Sequence, residues 1–327
     1  MKILVIQLKR IGDLILTSPV LSVLQSHFPD AEIDLVVEQA SAGILPAFPA
    51  HRARIFRRGS LNITTLLAIG RETYDICLDL NGSDRSLLIS SLSGAKRKIV
   101  YQKYSKKIFR KVVYTDWVDS PVRKRHTVDH FLDILRPLGV SVENERPSLN
   151  ISEKEKQQAT QALQSAGISG PFAVIHPGTA RVEKLWPADR WAEVVKWLQQ
   201  NQSLQTVITG VQNDMDTAGI KDILAATGNS CVSLVGKLSL LGTAAVIQQA
   251  KLLCSVDSAP VHLAEALNTP VVALYGPMNP FVWMPRHTAC RIAHPSVRDG
   301  KFAWDTPGGE MGDISVELVI QDIREIL

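Results

Sequence analysis

Three segments of this chain join an apolar, strand-like run to residues able to do chemistry. In the first, Ile3 to Gln7 leads into Ile11-Gly12-Asp13. A carboxylate at the start of the following helix meets the positive end of its dipole, which favours the ionised form. Gly12 lets the backbone turn tightly and lets a substrate approach closely. Asp13 would face a ligand from the carboxyl end of strand one, where a general base belongs. An N-cap, which needs only Asp, Asn, Ser or Thr, is the competing reading. In the second segment, His176-Pro177-Gly178-Thr179 runs on to Lys184-Leu185-Trp186-Pro187. Backbone N–H groups at Gly178-Thr179, the Thr179 hydroxyl and the mobile Lys184 cation could together hold a diphosphate. The plain alternative is an ordinary strand-to-helix loop with a surface lysine. The third segment, Val256-Asp257-Ser258-Ala259-Pro260-Val261-His262, ends a strand and opens a helix whose first turn suits an anion. His262 lies about one turn on and can face the same ligand. Asp257 repels phosphate, so it should accept hydrogen bonds from sugar hydroxyls or local N–H groups. An Asp N-cap beside a core histidine is the alternative here.

Apolar runs and helix-period segments alternate along the chain, and these must position the three segments. Strands are expected at Ile3 to Gln7, Ile33 to Val37 and Tyr74 to Leu80, with helices over Asp13 to His27 and Ser83 to Leu92. The pattern fades near Asn144 to Ser152 and restarts after the polar helix Ser152 to Ser165. Strands then fall at Phe172 to Ile175, Leu204 to Thr209, Cys231 to Leu234, Leu252 to Val256 and Val271 to Leu274. Helices fall at Pro187 to Gln200, Asp214 to Ala226, Leu240 to Ala250 and Val261 to Leu267. Arg298 to Gly312 reads as irregular, and Val316 to Leu327 as a closing amphipathic helix. This strand–helix rhythm implies α/β architecture with parallel sheets covered by helices. The expected domains are 1–150 and 151–312, with a C-terminal helix at 313–327, and a ligand held in a central cleft at the carboxyl ends of the strands.

The length, 327 residues, suits two domains that each bury a core, and 45% hydrophobic with 21% charged residues excludes disorder. No apolar stretch is long enough to span a bilayer, and the start lacks a signal-peptide pattern, so the expected location is cytoplasmic. Cys77, Cys231, Cys254 and Cys290 form no CxxC pair, which argues against structural zinc. Cys77 and Cys254 read as buried, inert thiols. No GxGxxG follows strand one and no Walker A sequence occurs, so nicotinamide and P-loop chemistries are disfavoured. The net charge is +4, but Lys96 to Arg125 holds eleven basic residues against Asp116 and Asp119. That segment carries 11 − 2, or +9, leaving 4 − 9, or −5, elsewhere. Such a patch attracts a phosphate-rich partner, or serves only as a solvated surface.

Taken together the motifs resemble those of glycosyltransferase family 9, the ADP-heptose:lipopolysaccharide heptosyltransferases. The likeness rests on Ile-Gly-Asp after strand one, His-Pro-Gly-Thr with Lys-x-Trp-Pro, Gly236-Lys237-Leu238-Ser239-Leu240, and Asp257-Ser258-Ala259-Pro260-x-His262 running into Thr269 to Pro277. The resemblance implies a GT-B fold: two Rossmann-like domains, the donor held by the second. It implies inverting transfer of heptose from ADP-heptose to the lipopolysaccharide inner core, with no metal or other cofactor required. Asp13 would be the base. Gly178, Thr179 and Lys184 would hold the diphosphate, Leu238 the adenine, and Asp257 the heptose hydroxyls. Ser258, Ala259 and His262 would flank the phosphates. A phosphorylated glycolipid acceptor would use the basic segment, with Gly12, Asn81, Lys96, Arg97, Lys98, Arg123, Lys124 and Arg125 as expected contacts. The same patch could hold the enzyme at the anionic inner-membrane leaflet. Nucleic acid is not expected, since no groove-reading motif is present. Two other readings stand beside this one: a relative using another nucleotide sugar on a surface glycan, and a non-catalytic module that binds anionic glycans.

Overall fold

The computed structural model describes residues 1–48, 52–228 and 230–327. The chain forms two compact units, Met1–Asn150 and Ile151–Leu327. In the first, the chain runs β1 (Lys2–Gln7), α1 (Ile11–Ile15), α2 (Ser18–His27), β2 (Glu32–Glu38), β3 (Arg52–Phe56) and α3 (Ile63–Gly70). It continues through β4 (Ile76–Asp79), α4 (Asp84–Leu92), β5 (Arg97–Tyr101), α5 (Ile108–Val113), β6 (Asp116–Val118) and α6 (Thr127–Leu132). The strands make one sheet in the order β3-β2-β1-β4-β5-β6. Every pairing is parallel, with Ile3 level with Ile76 and Ile76 level with Arg97. Central strands such as β1 and β4 are continuous apolar runs because helices cover both faces.

The second unit contains α7 (Glu153–Ser165), β7 (Phe172–His176), α8 (Ala188–Gln202), β8 (Gln205–Ile208), α9 (Asp214–Ala226), β9 (Val232–Ser233) and α10 (Leu240–Gln249). Then come β10 (Leu252–Val256), α11 (Ala259–Ala266), β11 (Val271–Leu274), β12 (Cys290–Ala293) and α12 (Val316–Arg324). Its parallel sheet has the order β12-β11-β10-β7-β8-β9. Helix α12 packs into this unit: Val319 and Ile323 share a core with Trp191, Leu198 and Leu274. The fold is therefore α/β with two Rossmann-like units. In each sheet the strand order reverses at the centre, between β1 and β4 and between β7 and β10. A parallel sheet leaves its ligand crevice at that point, outside the carboxyl ends of the strands.

Several elements differ from the sequence expectation. The single helix expected over Asp13 to His27 is two, because Thr17 turns its hydroxyl onto the Asp13 carbonyl (2.8 Å) and Pro19 brings no N–H to the new first turn. Strands β3, β5, β6 and β12 carry charged residues or are very short, which hides them from an apolar-run criterion. Between Arg298 and Gly312 the chain is largely irregular. There Gly308 passes so close to the Pro277 carbonyl that a Cβ would lie 2.4 Å from its oxygen. Cys77 and Cys254 are fully buried, and burial pushes the Cys77 thiol up to about 12.

Candidate active site

In the first unit, Asp13 stands just beyond the carboxyl end of β1 and inside the first turn of α1. The N-cap of α1 is Arg10, so Asp13 is not a cap. Its side chain is only 14% exposed, and Oδ1 has no hydrogen-bond partner. Burial pushes the carboxyl above its usual range, while Lys9 Nζ, 3.5 Å away, opposes that shift. A relay of buried amides fixes this loop. Asn81 Oδ1 accepts from the Leu8 N–H (2.6 Å), and its Nδ2 donates to Gln7 Oε1 (2.9 Å). Gln7 Nε2 donates to Thr17 Oγ1 (2.9 Å), which in turn donates to the Asp13 carbonyl. The carboxylate is thus held through its backbone, while Oδ1 makes no hydrogen bond.

In the second unit, the loops after β7 and β10 meet. Lys184 Nζ donates to the Asp257 carboxylate, and each side chain is 11% exposed. Lys184 Nζ also lies 3.4 Å from the Asp257 carbonyl oxygen. Ser258 begins α11, yet its hydroxyl turns back to the Val256 carbonyl (3.1 Å), so no side chain caps the first turn of that helix. His262 is buried one turn along, with Nδ1 unpartnered and its ring 6.5 Å from that of Trp283. Burial pushes its pKa down to about 4, so the ring is neutral near pH 7 and offers an N–H rather than a charge. The geometry provides a cation, an uncapped helix start and a neutral imidazole around one carboxylate, which suits a ligand carrying both anionic oxygens and hydroxyls.

The profile of glycosyltransferase family 9 (heptosyltransferase) matches residues 66–295. The chain belongs to this family. Lipopolysaccharide heptosyltransferase 3 of Escherichia coli K12 is 29% identical over 286 residues, covering 84% of this chain and 82% of that protein. Lipopolysaccharide heptosyltransferase 2 of the same strain is 25% identical over 354 residues, covering 100% and 99%. The solved structure of a family 9 glycosyltransferase from Veillonella parvula has a TM-score of 0.85 at 24% identity, over 99% of this chain and 96% of that one. The E. coli ADP-heptose heptosyltransferase II structure gives 0.81 at 23%, over 100% and 98%. These likenesses place the fold in the GT-B type.

Within this family 9 chain, the expected residues do not all converge. Lys184, Asp257, Ser258, Ala259 and His262 come together, with Gly178 and half-buried Thr179 in the loop after β7. Leu238 is half-buried beside Gly242 at the start of α10. Asn81 is buried, and each end of its amide hydrogen-bonds within the unit, to the Leu8 N–H and to Gln7 Oε1. Lys96, Arg97 and Lys98 stand apart from the groups around Asp13. They are level with the start of β1, at the opposite end of the sheet from Asp13. There Lys96 pairs with Asp75 (3.3 Å), Arg97 with Asp116 (2.6 Å), and Lys98 Nζ donates to the Ala95 carbonyl (2.5 Å). Charge counting along the sequence could not see that Arg97 finds Asp116 on the neighbouring strand β6. Arg123 and Lys124 are exposed beyond β6, at the same end as Asp13, whereas Arg125 is tied to Asp133 (2.9 Å) and Glu143 (3.0 Å).

Two lysines were not singled out from the sequence. Lys9 pairs with Asp13 at i,i+4 and lies 5.4 Å from the Phe131 ring centre; the spacing was its only sequence signal. Lys103 follows β5, over the rings of Tyr101 (5.5 Å) and Tyr104 (4.9 Å). Burial, with a further push from Lys9, lowers its pKa to about 8. Burial and the cations Lys103, Lys9 and Arg125 push His130 down to about 3. The carboxyl end of the sheet therefore carries a positive field around Asp13. Among the described residues, no group of three or more His, Cys, Asp or Glu is arranged to hold a metal. An open cavity of about 430 Å³ lined by Ile55, Arg57, Leu61 and Ile63 lies at the β3 edge, and none of these chemical groups lines it.

Proposed function

We propose that this chain transfers heptose from ADP-heptose to the lipopolysaccharide inner core by a single inverting displacement. The observation that carries the reading is that one family 9 chain holds both a buried, backbone-held carboxylate beyond β1 and, in its second unit, the Lys184–Asp257–His262 cluster beyond β7 and β10. The first unit, 1–150, binds the acceptor. The second, from 151 onward, binds the donor. Asp13 accepts the proton of the attacking hydroxyl as that oxygen bonds to the anomeric carbon. The bond from that carbon to the diphosphate oxygen breaks, and ADP leaves with the electron pair. Lys184, the Gly178-Thr179 loop, Ser258, Ala259 and the start of α11 stabilise the charge on the leaving oxygens, and His262 supplies a neutral N–H. Such a set needs no metal ion. On donor binding Lys184 turns from Asp257 to the diphosphate, which frees Asp257 to accept from heptose hydroxyls, and Leu238 packs on adenine. Gly12 gives the acceptor room. Lys9, Lys103, Arg123 and Lys124 draw in acceptor phosphate and carboxylate groups. The enzyme works in the cytoplasm, in peripheral contact with the inner membrane. Among the described residues no helix is long and apolar enough to cross it.

The test is calorimetry with ADP-heptose, GDP-mannose and UDP-sugars in parallel. The reading requires ADP-heptose to bind most tightly. Preference for a GDP- or UDP-sugar would instead assign the relative with a different donor.

A further inference from the structure

We propose that the outer face of the α3, α4 and α5 layer docks onto an anionic phospholipid surface. The inference rests on the reading above only for its lipid-anchored acceptor. The connections β3 to β4, β4 to β5 and β5 to β6 all step the same way along the sheet order. Right-handed crossovers therefore put α3, α4 and α5 on one face, and α4 touches both of its neighbours. A helix on a water-exposed face carries polar residues outward; these carry aliphatic pairs at i,i+4. Ile63 and Leu67 on α3 and Leu88 and Leu92 on α4 are between 41% and 57% exposed. On α5, Ile108 and Val112 reach 82% and 87%.

Scattered exposed leucines need no explanation, but six aliphatic side chains on three adjacent helices do. The surrounding charge selects the partner. Lys106, Lys107 and Lys111 flank the α5 pair and are exposed. Lys107 is 3.7 Å from Asp84, while Lys106 and Lys111 have no acidic partner among the described residues. Arg110 points inward instead, to the Gly82 carbonyl and Asp84, and pins α5 to the body of the unit. Aliphatic side chains rimmed by unpaired lysines on a rigid helix match the interface of an anionic leaflet. Nucleic acid would engage the lysines but leave the aliphatic pairs in water.

The experiment is co-sedimentation of the full chain with vesicles of phosphatidylglycerol and phosphatidylethanolamine, or of phosphatidylcholine alone. The proposal expects binding to the first and not the second. The double variant Ile108→Glu/Val112→Glu should bind at least about tenfold more weakly. Lys106→Gln/Lys111→Gln should lose about fivefold per lysine. Both variants should transfer heptose to a lipid-free acceptor oligosaccharide as the parent does, since these side chains point to solvent and away from the sheet. Equal partition of parent and variants, or a parent that stays in the supernatant with anionic vesicles, overturns the proposal. So does a change from dimer to monomer on Ile108→Glu/Val112→Glu with vesicle binding intact, which would make the face a self-interface. Loss of transfer to the lipid-free acceptor by the parent itself would count against the heptosyltransferase reading and leave the vesicle result standing.

Discussion

Replacing Asp13 by Asn keeps the shape of the side chain and removes its ability to take a proton. A positioned general base contributes on the order of 10²–10⁴ in rate, so kcat should fall by that factor with ADP-heptose affinity unchanged. The fold should not suffer. Burial raises the Asp13 pKa, so the ionised carboxylate costs more in the native state than in the unfolded chain, and a neutral amide removes that cost near pH 7. The melting temperature of Asp13→Asn should therefore equal or exceed that of the parent. The pH profile gives an independent check. Activity requires the ionised carboxylate, so its acid limb rises as pH passes the raised Asp13 pKa. Lys9 holds that pKa down, and Lys9→Met should move the limb to higher pH. Steady-state kinetics on both variants measure these effects. If Asp13→Asn keeps kcat within about threefold of the parent, the base lies elsewhere.

Other consequences are local. Lys184→Ala removes a charged hydrogen-bond donor worth about 1.5–3 kcal/mol, so calorimetry should show ADP-heptose binding weakened by about 10- to 150-fold; unchanged affinity would take Lys184 out of the diphosphate site. Asn81→Ala leaves the Leu8 N–H and the Gln7 amide oxygen unsatisfied, at about 1–3 kcal/mol each, and should lower both the melting temperature and kcat with little change in donor affinity. Asp322, buried on α12 with one oxygen unpartnered, has its pKa pushed up to about 6 by burial and by Glu325. A raised carboxyl pKa means stability present in acid and lost as pH rises from the unfolded value towards 6. Asp322→Asn should thus raise stability by on the order of 2–3 kcal/mol at pH 8 and barely alter it at pH 4, as read by denaturant unfolding at the two pH values.

The central strands and the motif loops were legible because their signals are local. Buried parallel strands read as unbroken apolar runs, and a loop between such a strand and a helix carries its chemistry in a few adjacent residues. Asp257, Ser258 and His262 follow one another closely, so their proximity needed no tertiary information. Charged strands were not legible: Arg97 looks like a surface cation until β5 is seen beside β6, where Asp116 neutralises it. The same holds for Asn81, whose partners lie more than seventy positions away. Nor could sequence show that Lys184 and Asp257, 73 positions apart, close on each other.

The most direct measurement is mass spectrometry of the product formed by the purified protein from ADP-heptose and heptose-deficient inner-core lipopolysaccharide. A gain of one heptose per acceptor, made by the parent and nearly abolished by Asp13→Asn, is the predicted result. No mass gain with ADP-heptose, alongside transfer from a GDP- or UDP-sugar, would contradict it.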